Sequence, residues 1–315
     1  MTLDPAVVRA LTEAGIAMPE QSPDPDEQRR LAFEYEKALF PHIGLSRVPI
    51  RTHDRTVTVE GYPSVPVRLY YPAESSPHAR LPVCLFFFGG SFIQGGLHHP
   101  AVDAQCARRA AEAGVVVAAV SYALAPEHPF PTALEQGYAA LDFLAGAGDQ
   151  LGLDPTRLAV WGQSAGATLA AGSTLINRER AHHRLALQIL EVPLLDLAED
   201  PADRDLDEVT EAELAALGTI NRWYLQGADP RDPHVSPLRA TDLRGLPPAY
   251  IVTAELDPLR HDGARYATAL AQAGVPVSAV QMLGLPHNGS LFEGVSLTAR
   301  TVGAGIVAAL RTLHR

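Results

Sequence analysis

Gly162-Gln163-Ser164-Ala165-Gly166 stands between a short apolar run, 158–161, and a stretch rich in Ala, Leu and Thr with helical character, 165–180. This strand–turn–helix junction narrows the possible folds more than any other feature of the chain. A serine flanked at two residues' distance by glycines suits a turn so sharp that a side chain at either glycine would strike neighbouring backbone. The serine hydroxyl then projects from the end of the strand, and a helix N-terminus lies directly behind it with its positive dipole end. An ordinary Ser N-cap on a strand-to-helix turn is the plain alternative. The first reading makes Ser164 a candidate nucleophile.

The rest of the chain has the rhythm such a junction requires. Apolar runs at 83–88, 115–120, 158–161, 185–190, 249–253 and 277–282 alternate with helical patterns at 103–113, 132–144, 165–180, 261–273 and 297–313. Strands alternating with helices imply a parallel sheet covered on both faces. Residues 55–60 and 65–71 alternate with period two around Gly61 and Pro63, and are expected as an antiparallel pair. Two helices are expected ahead of them, at 4–14 with Asp4 as N-cap, and at 27–40, where Leu31, Tyr35 and Leu39 recur every fourth residue. Coming before the first strand, they can pack over a site at the sheet's edge. One further stretch, about 196–237, breaks the rhythm with many charges followed by Leu214, Leu217, Ile220, Trp223, Tyr224 and Leu225. It is expected as an inserted helical segment, placed after a strand's C-terminal end where ligands bind in such sheets.

A serine hydroxyl is a poor nucleophile near neutral pH; it needs a base, and the base needs an orienting acid. On a serine elbow of this kind the expected chain order is Ser, acid, His. Asp257 follows the run 249–254, within Glu255-Leu256-Asp257-Pro258-Leu259, and His287 follows the run 277–282, within Gly284-Leu285-Pro286-His287-Asn288-Gly289. Both fall at strand C-termini, on the same edge as Ser164. The plain alternatives are a helix N-cap for Asp257 and a surface-loop histidine for His287. Glu255 is expected to support the site from behind, and His261 and Asp262 to point away in a first helical turn. The pairs His98-His99 and His182-His183 lack a zinc-ligand spacing and are expected to be solvated loop histidines, so no metal is expected.

Acyl transfer also requires N–H groups aimed at a developing oxyanion. Ala165, next to the serine, is expected to supply one. The others are expected from the loop after 83–88, which reads Phe88-Gly89-Gly90-Ser91-Phe92 and then Gly95-Gly96. Here the chain resembles a known family. Phe88-Gly89-Gly90-Ser91-Phe92 is similar to H-G-G-G-F, and the run from Tyr122 to Pro131, YALAPEHPFP, is similar to Y-R-L-A-P-E-H-P-F-P. Gly162-Gln163-Ser164-Ala165-Gly166 is similar to G-D-S-A-G, and Glu255-Leu256-Asp257-Pro258-Leu259-Arg260 to the family's acid motif. These stretches resemble the bacterial hormone-sensitive-lipase-like carboxylesterases of the α/β-hydrolase superfamily, from about Leu81 to the end.

That resemblance implies an α/β fold of the α/β-hydrolase type, a mostly parallel eight-stranded sheet flanked by helices with a helical cap. It implies cap helices in 1–50 and a catalytic domain at 51–315 that carries the 196–237 insertion as further cap. It also implies ester hydrolysis through an acyl-enzyme, without a cofactor, on short-to-medium-chain or small aromatic esters. Ser164, Asp257 and His287 would be catalytic, and Gly89, Gly90, Ser91 and Ala165 would form the oxyanion hole. Phe33, Phe92, Trp223 and Tyr224 are candidates for the substrate pocket, with plain core packing as their alternative. The departures lie around the site: Phe88 replaces a histidine that would brace the loop, and Ser91 replaces a glycine. Gln163 stands for Asp, Ala123 for Arg, and Asn288 for Gly. They keep two other readings in view: an acyltransferase or lyase-type natural-product enzyme, and a non-catalytic small-molecule receptor.

Composition bounds the remaining choices. The chain has 315 residues, 47% hydrophobic and 19% charged, enough for a large core in a globular protein. A formal net charge of −11 disfavours phosphate backbones and anionic lipid, so neither nucleic acid nor membrane is expected as a partner. The expected partner is a small-molecule ester, and a homodimer is left open. Two cysteines, Cys84 and Cys106, make no disulfide framework and are expected as buried thiols. Residues 1–17 contain acids and no apolar core, so they do not read as a secretory signal, and the expected compartment is the cytoplasm.

Overall fold

The structure, a computed structural model, describes residues 2–73, 80–198, 218–219 and 221–315. Eight strands form one sheet in the order β1-β2-β4-β3-β5-β6-β7-β8. They are β1 Arg51–Val59, β2 Tyr62–Tyr71, β3 Leu81–Phe87, β4 Val116–Val120, β5 Leu153–Gln163, β6 Leu185–Glu191, β7 Ala249–Leu256 and β8 Val277–Pro286. β1 and β2 pair antiparallel, as the alternation around Gly61 predicts, and β2 joins β4 antiparallel. All pairs from β4 to β8 are parallel, so the loops after β3, β5, β7 and β8 open on one edge.

The helices cover this sheet because parallel strands leave both faces apolar. All five residues of β4, Val-Val-Ala-Ala-Val, are buried, and β3 is buried from Pro82 to Phe87. α3 Pro100–Ala113, α4 Thr132–Gly146, α6 Ala165–Arg180, α7 Arg260–Gln272 and α8 Leu297–Arg311 supply the covering layers; α5 is a single turn, Gly148–Leu151. α3 ends at Gly114 in the left-handed conformation, as expected of a glycine just past a helix. Cys84 and Cys106 are free and buried, as expected.

Ahead of the sheet lie α1 Pro5–Ala14 and α2 Pro25–Leu39. Asp4 caps α1, its carboxylate accepting from Ala6 N at 2.8 Å. α2 begins two residues before the sequence pattern suggests, because Asp24 caps it and Pro25 takes the first helical position. Of the insertion, Leu214, Leu217 and Ile220 lie outside the described residues. Its described end is a π-helical turn, Asn221–Leu225, in which Tyr224 and Leu225 are buried. The two ends of the stretch meet: Leu197 N donates to Ser236 Oγ at 2.8 Å, and Leu238 N to Leu195 O at 3.1 Å. No helix among the described residues is long and apolar enough to cross a membrane.

Candidate active site

Ser164 sits at the end of β5 with φ 53° and ψ −121°, a conformation a non-glycine residue rarely takes and one that costs on the order of 1–3 kcal/mol. Backbone hydrogen bonds hold it there: Ser164 N donates to Glu191 O at 2.9 Å, and Ala167 N donates to Ser164 O at 2.9 Å. The flanking glycines are required by space. A Cβ on Gly162 would overlap the Gly166 carbonyl, and one on Gly166 would overlap the carbonyls of Phe87 and Phe88. The spacing of glycines seen in the sequence is therefore the imprint of one tight crossing of β5, α6 and the end of β3.

Asp257 and His287 reach Ser164 through the pairing of β7 with β8. After a register shift, Leu256 lies beside Pro286, so the next residue of each strand's loop, Asp257 and His287, emerges side by side. His287 Nδ1 stands 2.8 Å from Asp257 Oδ2, and His287 Nε2 stands 2.8 Å from Ser164 Oγ. An ionised carboxylate only accepts, so Nδ1 carries the proton and Nε2 is left to accept from the serine hydroxyl. Asp257 is buried, and its other oxygen accepts from Leu259 N at 2.8 Å. It is thus both the partner of His287 and the acceptor that shapes the turn before α7. Glu255 accepts from Gly284 N at 2.7 Å and so ties the ends of β7 and β8 together. Asp262 is buried and accepts from Leu195 N and Asp196 N at the root of the insertion, away from His287.

The loop after β3 lies against the elbow: a Cβ on Gly89 would be 3.1 Å from Gln163 O and 3.4 Å from Ser164 Cβ. Gly90 has φ 136°, and its carbonyl accepts from Ile93 N and Gln94 N, each at 3.0 Å. The backbone N–H groups of Gly89, Gly90, Ser91 and Ala165 donate to no other group among the described residues. They can therefore serve an incoming oxyanion. Ser91 and Phe92 both hold positive φ, 56° and 63°, so the serine at the third glycine position keeps the glycine-like backbone at some cost.

Phe88 cannot brace this loop as an imidazole would, but the loop is braced. Its ring is buried and stacks on Tyr122 at 4.2 Å between centroids and 12° between planes. Tyr122 Oη in turn donates to Phe88 O at 2.8 Å. Gly95 also lies against the ring, where a Cβ would meet Phe88 Cδ2 at 2.8 Å. Tyr122 opens the YALAPEHPFP motif, whose sequence gives no sign of this contact.

These features match known proteins. A family model described as alpha/beta hydrolase fold matches residues 84–290. The chain belongs to the hormone-sensitive-lipase-like esterases of that fold. It is 38% identical over 284 residues to Esterase LipI of Mycobacterium tuberculosis, covering 86% of each chain. It is 34% identical over 296 residues to the ethyl acetate hydrolase of Pseudomonas putida, covering 91% of each. The solved structure of a hyperthermophilic esterase from the archaeon Pyrobaculum calidifontis superposes with a TM-score of 0.86 at 30% identity, covering 100% of this chain and 99% of that one. The protein is a serine carboxylic ester hydrolase, and neither the acyltransferase nor the receptor reading is favoured.

The four pocket candidates of this esterase do not share one place. Phe92 stacks on Tyr224 at 3.7 Å and 3°, and both are buried, with Phe130 edge-on to Tyr224 at 6.0 Å. Trp223, next to Tyr224, is half-buried. Phe33 packs instead on the imidazoles of His98 and His99, at 5.4 and 5.2 Å. His99 is not the solvated loop histidine the sequence suggests. It is buried, and its Nδ1 stands 2.7 Å from Glu36 Oε2 of α2, a partner 63 residues away. His183 is half-buried and pairs with Asp142 at 2.7 Å.

Beneath the elbow the esterase buries charge. Trp161 Nε1 and Gln163 Nε2 both donate to Glu191 Oε1, the latter at 3.3 Å, while Glu191 Oε2 has no partner among the described residues. Arg109 and Glu293 form a buried bidentate pair close by. Burial pushes the Glu191 carboxyl up from 4.5 to about 6, against the pull of Arg109. An acid whose folded pKa is raised contributes stability in full below about pH 4.5, and loses it as pH rises through about 6. At about 1.4 kcal/mol per tenfold, the loss is about 2 kcal/mol. Relative to Glu191→Gln, the wild type is therefore expected to lose about that much unfolding free energy between mildly acidic and neutral pH. Urea unfolding of both proteins across that range checks it; a constant difference between them would contradict the assignment.

Proposed function

We propose that Ser164 is the nucleophile of the ester hydrolase, His287 its base and then acid, and Asp257 the group that orients His287. Ser164 Oγ attacks the acyl carbonyl as His287 Nε2 takes its proton. The tetrahedral oxyanion is met by the N–H groups of Gly90, Ser91 and Ala165, with Gly89 keeping the loop close to the serine. His287 returns the proton to the departing alkoxide, leaving an acyl-serine and an alcohol. Water, deprotonated by His287, then releases the acid and restores the serine. The observation that carries this reading is the chain of two 2.8 Å contacts, Ser164 Oγ to His287 to Asp257, set beside backbone N–H groups that have no partner among the described residues.

The substrates are short-to-medium-chain or small aromatic esters. The relative named for ethyl acetate and the closed Phe92–Tyr224 stack support small acyl groups. Residues 1–50 and the described end of the insertion, 221–237, act as a cap over the site; 199–217 and 220 lie outside the described residues. α2 touches the loops after β3 and β4, and Gln226 donates to Pro126 O at 2.6 Å, so both parts reach the same rim. The test is turnover of p-nitrophenyl acetate, butyrate, octanoate and laurate, beside fluorophosphonate labelling. Wild type is expected to favour the shorter esters and to label once, and Ser164→Ala to do neither. No turnover of any ester together with no label would sink the reading.

A further inference from the structure

The inner face of α2 runs along the loop that carries the proposed oxyanion donors. Arg29, Phe33 and Glu36 recur at intervals of four and three, which places them on one side of the helix. Each meets the Phe88–Ala101 stretch in turn. Arg29 Nε donates to Ile93 O at 2.9 Å, and the neighbouring Gln28 Nε2 to Gln94 Oε1 at 2.9 Å. Phe33 packs on His98 and His99, and Glu36 accepts from Ala101 N at 2.9 Å while holding His99. Arg29 goes further than the others. Its Nη2 donates to Ala125 O at 2.8 Å, and its guanidinium grips both oxygens of Glu127. Ala125 N donates to Phe92 O at 2.9 Å, so the arginine fork closes a ring of contacts joining the cap helix, the oxyanion loop and the turn after β4.

The chemistry of that ring reaches the donors directly. Gly90 C=O and Ser91 N–H belong to one planar peptide group, so fixing the carbonyl aims the N–H. That carbonyl is held by the N–H groups of Ile93 and Gln94, and Ile93's own carbonyl is held by Arg29. The guanidinium meets two carbonyls and both carboxylate oxygens of Glu127 at once, four contacts that the three donors of an ammonium cannot all make. Resting on the reading of Ser91 N–H as an oxyanion donor, we infer that Arg29 is a positioning residue for ester hydrolysis, and that α2 is a splint that sets the oxyanion hole.

The test compares Arg29→Met, which keeps the stem and removes the fork, with Arg30→Met. Arg30 points outward on the same helix and pairs with Glu27. Each is assayed for kcat and KM on p-nitrophenyl butyrate and for inhibition by an alkyl trifluoromethyl ketone, whose serine adduct places an oxyanion in the hole. A displacement on the order of 1 Å can cost about 10²-fold, so Arg29→Met is expected to lower kcat roughly 10- to 100-fold. KM should stay near wild type and ketone affinity should fall in parallel with kcat. Arg30→Met should match wild type in all three. If Arg29→Met does not fold, Arg29→Lys is read instead, with a smaller parallel loss expected. Unchanged kcat, a change confined to KM, or lower kcat with unchanged ketone affinity overturns the inference. Endpoint fluorophosphonate labelling separates the two ideas: an unlabelled wild type defeats the Ser164 reading, whereas full labelling of all variants leaves the Arg29 result to stand on its own.

Discussion

Asp257→Asn is expected to lower kcat by about 10⁴-fold with the fold intact, the size of effect seen when the acid of a serine triad becomes an amide. The direction follows from the hydrogen bonds around the carboxylate. Oδ1 accepts from Leu259 N and Oδ2 faces His287 Nδ1. An amide at this position keeps its oxygen on the Leu259 N–H, because that donor is fixed by the backbone. Its NH2 then faces His287. The imidazole must answer with a lone pair at Nδ1, which moves its proton to Nε2, against the Ser164 hydroxyl. The base is present but in the wrong tautomer. Saturating kinetics on p-nitrophenyl butyrate give the measurement, with Glu255→Gln as a companion that keeps an acceptor for Gly284 N of β8 and should stay near wild type. A loss of less than about tenfold for Asp257→Asn would remove Asp257 from the orienting role.

The features legible in the sequence were the ones with local signatures. The sharp turn at Ser164 needs glycines two residues to either side, and the chain shows them. The loops after β7 and β8 end on polar residues just past apolar runs, and the register that sets Leu256 beside Pro286 then brings Asp257 and His287 together. Contacts between distant residues left no such mark. Phe88 reads as a lost brace until its ring is seen stacked on Tyr122, 34 residues later, whose hydroxyl holds the same peptide. His99 reads as solvated until Glu36 is seen against it. Arg29 reads as one charge among several on an amphipathic helix. Element boundaries failed for the same reason. β5 starts at Leu153, well before the expected run at 158–161, because Leu153 pairs with Leu81 of β3. Tertiary pairing there overrides local preference.

Gly90→Ala is expected to cost about 10²–10³-fold in kcat, about 3–4 kcal/mol of transition-state stabilisation, with little change in KM. Gly90 has φ 136°, a region closed to side-chain-bearing residues, and an added Cβ would overlap the carbonyl oxygen of Gln94. That oxygen cannot yield cheaply. Gln94 N donates to Gly90 O within the same turn, and the Gln94 side chain is held by Gln28 of α2. The loop must therefore rotate its peptides, and the groups that rotate are the N–H of Gly90 itself and of Ser91. Ser164, His287 and Asp257 lie on other loops and keep their geometry, so fluorophosphonate labelling should still reach completion, only more slowly. Ser91→Gly is the informative contrast. At φ 56° the serine side chain is a strain the backbone already bears, so glycine there should leave kcat near wild type or raise it. If Gly90→Ala retained more than about a tenth of wild-type kcat, the oxyanion would have to be met elsewhere, and Ala165 N–H, fixed at the start of α6, would be left as the main donor.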